Sequence, residues 1–152
     1  MRLVFTGPLL AAAITAFGCA ASAQAPDSVH YLSSADLAAQ VRVLKDGLAV
    51  SVLPTAPGVL VLLGRRDRDG EVEVHAKRND QIFVREGHAT ILVGGQVEGG
   101  HAVGPDEMRG GRIVGARTYD VSAGDSLWIP AGAPHQMLVP PGASFSYVTV
   151  KL

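Results

Sequence analysis

Short strand-like segments separated by glycine- and proline-containing turns fill the sequence after Gly47. Residues 71–75, EVEVH, alternate strictly between polar and apolar side chains, which is the pattern of a half-buried strand. Residues 80–87 and 88–95 have the composition of two further strands that meet at a tight turn. Because short strands at regular spacing are typical of antiparallel sandwiches and barrels, the sequence predicts an all-β fold.

Further strands are predicted on both sides of a long glycine-rich stretch. Residues 58–64, GVLVLLG, predict a buried strand. Residues 118–152 predict three strands separated by Ala-Gly, Pro-Ala-Gly and Pro-Pro-Gly turns. Between them, residues 96–118 predict a long loop with one short strand near 112–114. A loop of this length is unusual in a compact domain, so it is also a candidate lid.

One amphipathic helix is predicted before the strands, over residues 35–45. Ser34 is a candidate N-cap, and Gly47 is a candidate end signal. The apolar residues at helical spacing are Leu37, Val41 and Leu44. The segment 24–47 is therefore interpreted as a leader followed by a short helix, and 48–152 as the β domain.

The first 23 residues have the organisation of a secretory signal peptide. Arg2 precedes an apolar run, and Ala21-Ser22-Ala23 matches a small-residue cleavage site. A membrane anchor is the alternative, but the run is short for a span. A lipoprotein signal ending at Cys19 is a second alternative. Cleavage after Ala23 predicts a periplasmic or secreted protein with no membrane segment.

Charge and cysteine content exclude two classes of protein. The chain has 13 Lys and Arg against 14 Asp and Glu, so it lacks the basic excess of nucleic-acid-binding proteins. Its only cysteine, Cys19, lies in the predicted signal, so no disulfide can hold the mature domain. The domain must instead be stabilised by an apolar core, which a chain of 152 residues is long enough to form.

The stretch GDSLWIPAGAPHQMLV, residues 124–139, resembles the second sequence motif of the cupin family. In that motif a Gly is followed by five residues, a Pro, one residue, a Gly, two residues and a His, with an Asn four positions later. Gly124, Pro130, Gly132 and His135 match these positions. Only the last position departs, because Val139 stands where the family has Asn.

Residues 70–87 resemble the first cupin motif less closely. His75 matches its first His, whereas Lys77 stands where the second His belongs. The Glu position of the motif falls on Asp80 or, in a rival alignment, on Gln81. Strand alternation favours Asp80, because it shares a face with the apolar residues Ile82 and Val84.

The resemblance implies a jelly-roll β-barrel in which His75, Asp80 and His135 converge. Two imidazoles and one carboxylate suit a divalent metal ion, and Fe, Mn, Zn, Ni and Cu all remain candidates. Met137 is expected to line the same pocket. The implied function is binding or transformation of a small oxygen-rich molecule, and the family includes both enzymes and binding modules.

A metal-free site is the alternative, since Lys77 could pair with Asp80 and fill the place of the ion. The protein would then bind a small anion or sugar, with Lys77 and Gln81 among the contacting residues. Glu73 shares the strand face of His75 but is expected to be a charge at the rim. A homodimer is compatible with either function.

Overall fold

A computed structural model describes residues 29–152. The predicted signal peptide and Cys19 lie outside the described residues. Within that range the chain forms one helix, α1 (Ser34–Gln40), and thirteen strands. The strands are β1 (Leu48–Leu53), β2 (Leu60–Arg66), β3 (Glu73–His75), β4 (Asp80–Glu86), β5 (His88–Val93), β6 (Gln96–Glu98), β7 (His101–Gly104), β8 (Glu107–Arg109), β9 (Arg112–Val114), β10 (Arg117–Ser122), β11 (Ser126–Ile129), β12 (His135–Leu138) and β13 (Phe145–Lys151). The prediction of an all-β fold with a short N-terminal helix is confirmed.

The strands form two antiparallel sheets and a small ribbon. One sheet has five strands in the order β1-β2-β13-β4-β11, and the other has six in the order β10-β5-β12-β3-β8-β7. Strands β6 and β9 pair only with each other. Non-consecutive neighbours such as β13 and β4 bring distant parts of the chain together, which is how two separate sequence motifs reach one site.

The two sheets share one apolar core, because side chains of both enter the same cluster. Its buried members include Ile82, Val84, Ile129 and Phe145 from the first sheet and Ala89, Ile91 and Val121 from the second. The rings of Phe145 and Tyr147 stack at a centroid distance of 5.1 Å. On β4 the buried face continues from Val84 and Ile82 to Asp80. The carboxylate of Asp80 therefore lies on the same face as the core residues of this strand.

Helix α1 lies on the outer face of the five-stranded sheet. Ser33 caps it in a capping box with Asp36, one residue before the predicted cap. The helix ends at Gln40, earlier than predicted, where Val41 leaves helical geometry at φ −115° and ψ 20°, and Asp46 and Gly47 then turn the chain into β1 at positive φ. Val41 is still buried, against Ala49 and Leu63 of the sheet.

Residues 96–118 are not the long loop that the sequence predicted. Strands β6 to β9 occupy this segment, and in the six-stranded sheet β8 lies between β3 and the edge strand β7. Glycines at positive φ make the turns between strands of three or four residues, which are too short to show a periodic pattern. Since β8 is hydrogen-bonded into the sheet, the prediction that this segment could act as a lid is also wrong. The segment 118–152 likewise forms four strands rather than three, and β1 was not predicted.

Among residues 29–152, no helix has the length and apolar character needed to cross a lipid bilayer.

The close packing of Gly64 in β2 against Tyr147 makes a stability prediction. A Cβ atom at Gly64 would lie 2.5 Å from the Tyr147 ring, which is buried and hydrogen-bonded through its hydroxyl to Arg66. We expect Gly64→Ala to lower the free energy of unfolding by about 1–3 kcal/mol, as overpacking does in other cores. Urea denaturation would measure it. Gly104→Ala is the control, because the nearest atom to its Cβ would lie 3.8 Å away; equal loss in both variants would contradict the prediction.

Candidate metal centre

Three strands place the predicted ligands at one end of the barrel interior. His75 ends β3, His135 begins β12 beside it in the same sheet, and Asp80 begins β4 in the facing sheet. The Oδ2 atom of Asp80 lies 3.4 Å from His75 Nε2 and 3.7 Å from His135 Nε2. The two imidazole centroids are 5.2 Å apart. The structure thus brings all three side chains together, and all three are buried.

Glu73 also lies in this cluster, so its expected place at the rim is wrong. Its side chain is only 18% exposed, and its Oε2 lies 3.4 Å from His75 Nε2. Alternation along β3 puts it on the face of His75, and the sheet register sets it opposite His135. One ligand atom each from Glu73, His75 and His135 lie within 4.8 Å of one another. Two carboxylates therefore flank the two imidazoles.

Both imidazoles are held by their Nδ1 atoms. His75 Nδ1 lies 2.7 Å from the Glu107 carboxylate, and His135 Nδ1 lies 3.2 Å from the carbonyl oxygen of Ala133. Because both partners are acceptors, we assign the proton of each ring to Nδ1. Each Nε2 then points into the cluster, toward Asp80. Metal-binding histidines commonly have this arrangement, with the outer nitrogen bound to a carboxylate or carbonyl.

Lys151, which the sequence analysis did not select, reaches the centre of the cluster. Its Nζ lies 2.8 Å from His75 Nε2 and 2.9 Å from both carboxylate oxygens of Asp80. The register of β13 on β4 sets Lys151 directly opposite Asp80. The basic partner of Asp80 is therefore Lys151.

Lys77 lies outside the site, which corrects the prediction that it pairs with Asp80. Strand β3 ends at His75, so Lys77 falls in the bend that follows and no longer shares the strand face. Its side chain is 76% exposed and forms an ion pair with Asp106 at 3.0 Å. The strand ends two residues before Lys77, so side-chain alternation does not apply to Lys77.

The carboxylates create a position that favours one positive charge beside His75 Nε2. Hydrogen bonds with Asp80 and Glu73 raise the pKa of His75 to about 10, against burial and the charge of Lys151. A charged His75 imidazole and a charged Lys151 ammonium would both be donors at their contact of 2.8 Å. Only one of these two nitrogen atoms can therefore hold the proton between them. We assign that proton to Lys151, because its Nζ also reaches both Asp80 oxygens, whereas Asp80 and Glu73 each lie 3.4 Å from His75 Nε2.

The other members of the cluster have the charge states that a cation site requires. Burial raises the pKa of Asp80, but hydrogen bonds with His75 and Lys151 outweigh it and hold that pKa below its usual value. Burial lowers the pKa of His135, which keeps this imidazole neutral. The site therefore offers neutral nitrogen and anionic oxygen donors together.

Glu73 predicts a pH dependence of stability in chelator-treated protein. Burial alone would raise its pKa, but the hydrogen bond with His75 and the charge of Arg109 lower that pKa from 4.5 to about 2. A lowered folded-state pKa stabilises the protein above pH 4.5, and this contribution is lost as pH falls toward 2. We expect Glu73→Gln to make the melting temperature less dependent on pH in this window. Parallel profiles for the two proteins would contradict the assignment.

A cavity of ≈ 200 Å³ adjoins the cluster between the two sheets. Its apolar lining is Leu48, Val50, Leu62, Met137 and Tyr147, and its charged or polar lining includes Arg66, Glu73, Arg109, His135 and Lys151. Met137 therefore lies where the sequence predicted. Gln81 does not line this cavity: it follows Asp80 on β4 and faces the other side of the sheet, where its amide contacts the backbone of Ile82.

Two buried or half-buried arginines line the cavity, and Glu107 contacts one of them and His75. Arg66 Nε donates a hydrogen bond to the Tyr147 hydroxyl at 3.2 Å. Arg109 donates to Glu73 at 2.8 Å and to Glu107 at 2.7 Å. Glu107 and Arg109 come from β8, in the segment predicted as a loop, where the sequence has no periodic signal. Lys151 did have one, since Tyr147, Thr149 and Lys151 alternate along one strand face.

Comparison with known proteins gives fold likeness only. No family model and no curated protein matches the sequence. A cupin superfamily protein from Desulfitobacterium hafniense aligns over 76% of this chain and 86% of its own, with a TM-score of 0.52 and 15% identity. Oxalate decarboxylase from Lactobacillus farciminis, in a formate complex, aligns over 72% and 30%, with a TM-score of 0.52 and 18% identity.

The polyketide cyclase RemF from Streptomyces resistomycificus aligns over 70% of this chain, with a TM-score of 0.50 and 20% identity. This chain spans 65% of the length of RemF. At such low identity these three structures share an architecture with this chain, and none of them transfers an activity to it.

Proposed function

We propose that this protein, which has the jelly-roll fold of the cupin superfamily, binds one divalent metal ion and uses it to bind or transform a small oxygen-rich molecule. The ligands would be His75, His135 and Glu73, with Asp80 beside them. The observation that carries this proposal is the orientation of the two imidazoles, each held through Nδ1 with Nε2 directed into the cluster. Iron, manganese, zinc, nickel and copper all suit this donor set.

The donor spacing supports an ion after a small contraction. The ligand atoms of Glu73, His75 and His135 lie within 4.8 Å of one another, and they would move closer together to share one ion at bond lengths of about 2.0–2.2 Å. When bound, the ion would act as a Lewis acid toward an oxygen atom of the ligand. Glu107 would hold His75 in place, and the Ala133 carbonyl would hold His135.

The neighbouring cavity supports a small ligand with both polar and apolar parts. Its volume of ≈ 200 Å³ is slightly larger than a cavity of about 150 Å³ that accommodates benzene. Leu62, Met137 and Tyr147 would contact an apolar part, whereas Arg66 and Arg109 would attract oxygen atoms with negative charge. Similar folds include an oxalate decarboxylase with formate bound and a polyketide cyclase, which agrees with a small oxygen-containing ligand.

A metal-free binding module is the second candidate, and the contacts of Lys151 favour it. Its ammonium hydrogen-bonds His75 and Asp80 from a position that a metal ion would also use. In this function Lys151, and not Lys77 as the sequence predicted, would pair with Asp80 in place of a metal ion. The ligand would be a small anion or sugar that binds next to a permanently filled cation position.

Elemental analysis of untagged protein, combined with thermal denaturation, distinguishes the two functions. We expect about one transition-metal ion per chain, and a rise in melting temperature when manganese, iron, zinc, nickel or copper is added to chelator-treated protein. Absence of both effects would refute metal binding. In that case, a rise in melting temperature of the chelator-treated protein with small anions or sugars would support the module.

We also propose that the protein acts outside the cytoplasm, in the periplasm or after secretion. The signal-like pattern of residues 1–23 supports this location. Amino-terminal sequencing of the protein from fractionated cells would test it. A mature chain that begins near residue 24 in the exported fraction would agree, whereas an unprocessed chain in the cytoplasm would contradict it.

A further inference from the structure

We propose that Lys151 is a built-in occupant of the metal position, and that a metal ion displaces its ammonium group into the cavity, where it helps to bind a small carboxylate. The metal ion and the carboxylate would then bind cooperatively. This inference rests on the proposed metal-binding function.

The contact between Lys151 and His75 makes the two cations mutually exclusive. With the ring proton assigned to Nδ1, which lies 2.7 Å from Glu107, His75 Nε2 has one lone pair. At 2.8 Å that lone pair accepts a hydrogen bond from Lys151 Nζ. A metal ion would use the same lone pair at a bond length of about 2.0–2.1 Å. The ammonium must therefore leave before the ion can bind.

The cavity is the place to which the ammonium can move. Lys151 already lines it, together with Tyr147 and Thr149 on the same face of β13. Arg66 and Arg109 also line it. Displacement would also free the carboxylate of Asp80, whose oxygen is 3.4 Å from His75 Nε2 and 3.7 Å from His135 Nε2. Asp80 would then be a further ligand for the ion.

The charges around the cavity indicate that an anion follows the metal ion. The cations Arg66, Arg109 and Lys151 equal in number the carboxylates Glu73, Asp80 and Glu107 around the site. A divalent ion adds positive charge to this largely buried network, and uncompensated buried charge is costly. An anionic ligand restores the balance. Because Leu62, Met137 and Tyr147 supply an apolar wall, a carboxylate on a compact apolar body fits best.

Lys151→Met and Lys151→Gln test the inference by calorimetric titration of chelator-treated protein with zinc or manganese. In either variant no ammonium remains in the cavity when the ion binds, so we expect metal affinity to rise by about tenfold. Benzoate is the anion probe, and benzamide is its uncharged counterpart. Benzoate should raise the metal affinity of the wild-type protein by about tenfold and have little effect in the variants, and benzamide should have little effect in any protein.

Lys77→Met is the matched control, because that lysine is exposed and lies outside the cavity. Its affinities should equal those of the wild-type protein. Unchanged or weaker metal binding in both folded Lys151 variants would overturn the inference while leaving the metal site intact. Metal binding by the Lys151 variants alone would refute the proposed function but support the role of Lys151. No metal binding by any protein would reject both proposals.

Discussion

Replacing His135 with alanine is expected to lower the affinity for a divalent metal ion by more than about 100-fold. Loss of an outer hydrogen-bond partner typically weakens a metal site by about 10- to 100-fold, and loss of a ligand should exceed that. His135 is buried, and its Nε2 faces Asp80 and the cavity. Calorimetric titration of chelator-treated protein with zinc or manganese would measure the change.

His88→Ala is the matched control for His135→Ala. His88 begins β5 and is exposed, so its removal takes away an imidazole without altering the cluster. Its metal affinity should equal that of the wild-type protein. Equal affinities in the His135 variant and the wild-type protein would show that the metal binds elsewhere. Circular dichroism of both variants would confirm that they are folded.

Asp80→Asn is expected to lower the free energy of unfolding of the chelator-treated protein by about 3–5 kcal/mol. The substitution keeps the size of the side chain but leaves the Lys151 ammonium without its buried counter-charge. Removing one partner of a buried ion pair has an effect of this size in other proteins. Urea or guanidinium denaturation monitored by the fluorescence of Trp128 would give the value.

The exposed pair of Asp106 and Lys77 provides the control for this result. Asp106→Asn should change stability by about 1 kcal/mol or less, because exposed ion pairs contribute little. Adding Lys151→Met to Asp80→Asn should recover much of the lost stability, since the unpaired charge is then removed. Equal effects of Asp80→Asn and Asp106→Asn would contradict the buried pair.

The parts of the site that the sequence predicted are those controlled by local rules. Strand alternation separated Asp80 from Gln81, and the structure places these residues on opposite faces of β4. The resemblance of residues 124–139 to the second cupin motif implied a hairpin that carries His135 into the interior, and the structure places His135 there at the start of β12. Neither inference needed knowledge of the sheet order, because one used side-chain alternation and the other used the resemblance of a contiguous motif.

The parts that the sequence could not predict depend on which strands become neighbours. Lys151 reaches Asp80 because β13 pairs with β4, across about half the length of the chain. Glu107 reaches His75 because β8 pairs with β3. Lys77 was placed in the site by extending the alternation of β3, but that strand ends at His75. Strand pairing and strand ends are tertiary properties, and local patterns do not specify them.

Anomalous diffraction from crystals grown with excess zinc or manganese tests the central claim most directly. The claim is that the cluster of Glu73, His75, Asp80 and His135 binds a divalent metal ion at the position that the Lys151 ammonium otherwise occupies. It predicts one anomalous peak about 2.0–2.3 Å from Nε2 of both histidines, with Lys151 Nζ moved away from His75. Crystals that keep the Lys151–His75 hydrogen bond and show no peak in the cluster would contradict it.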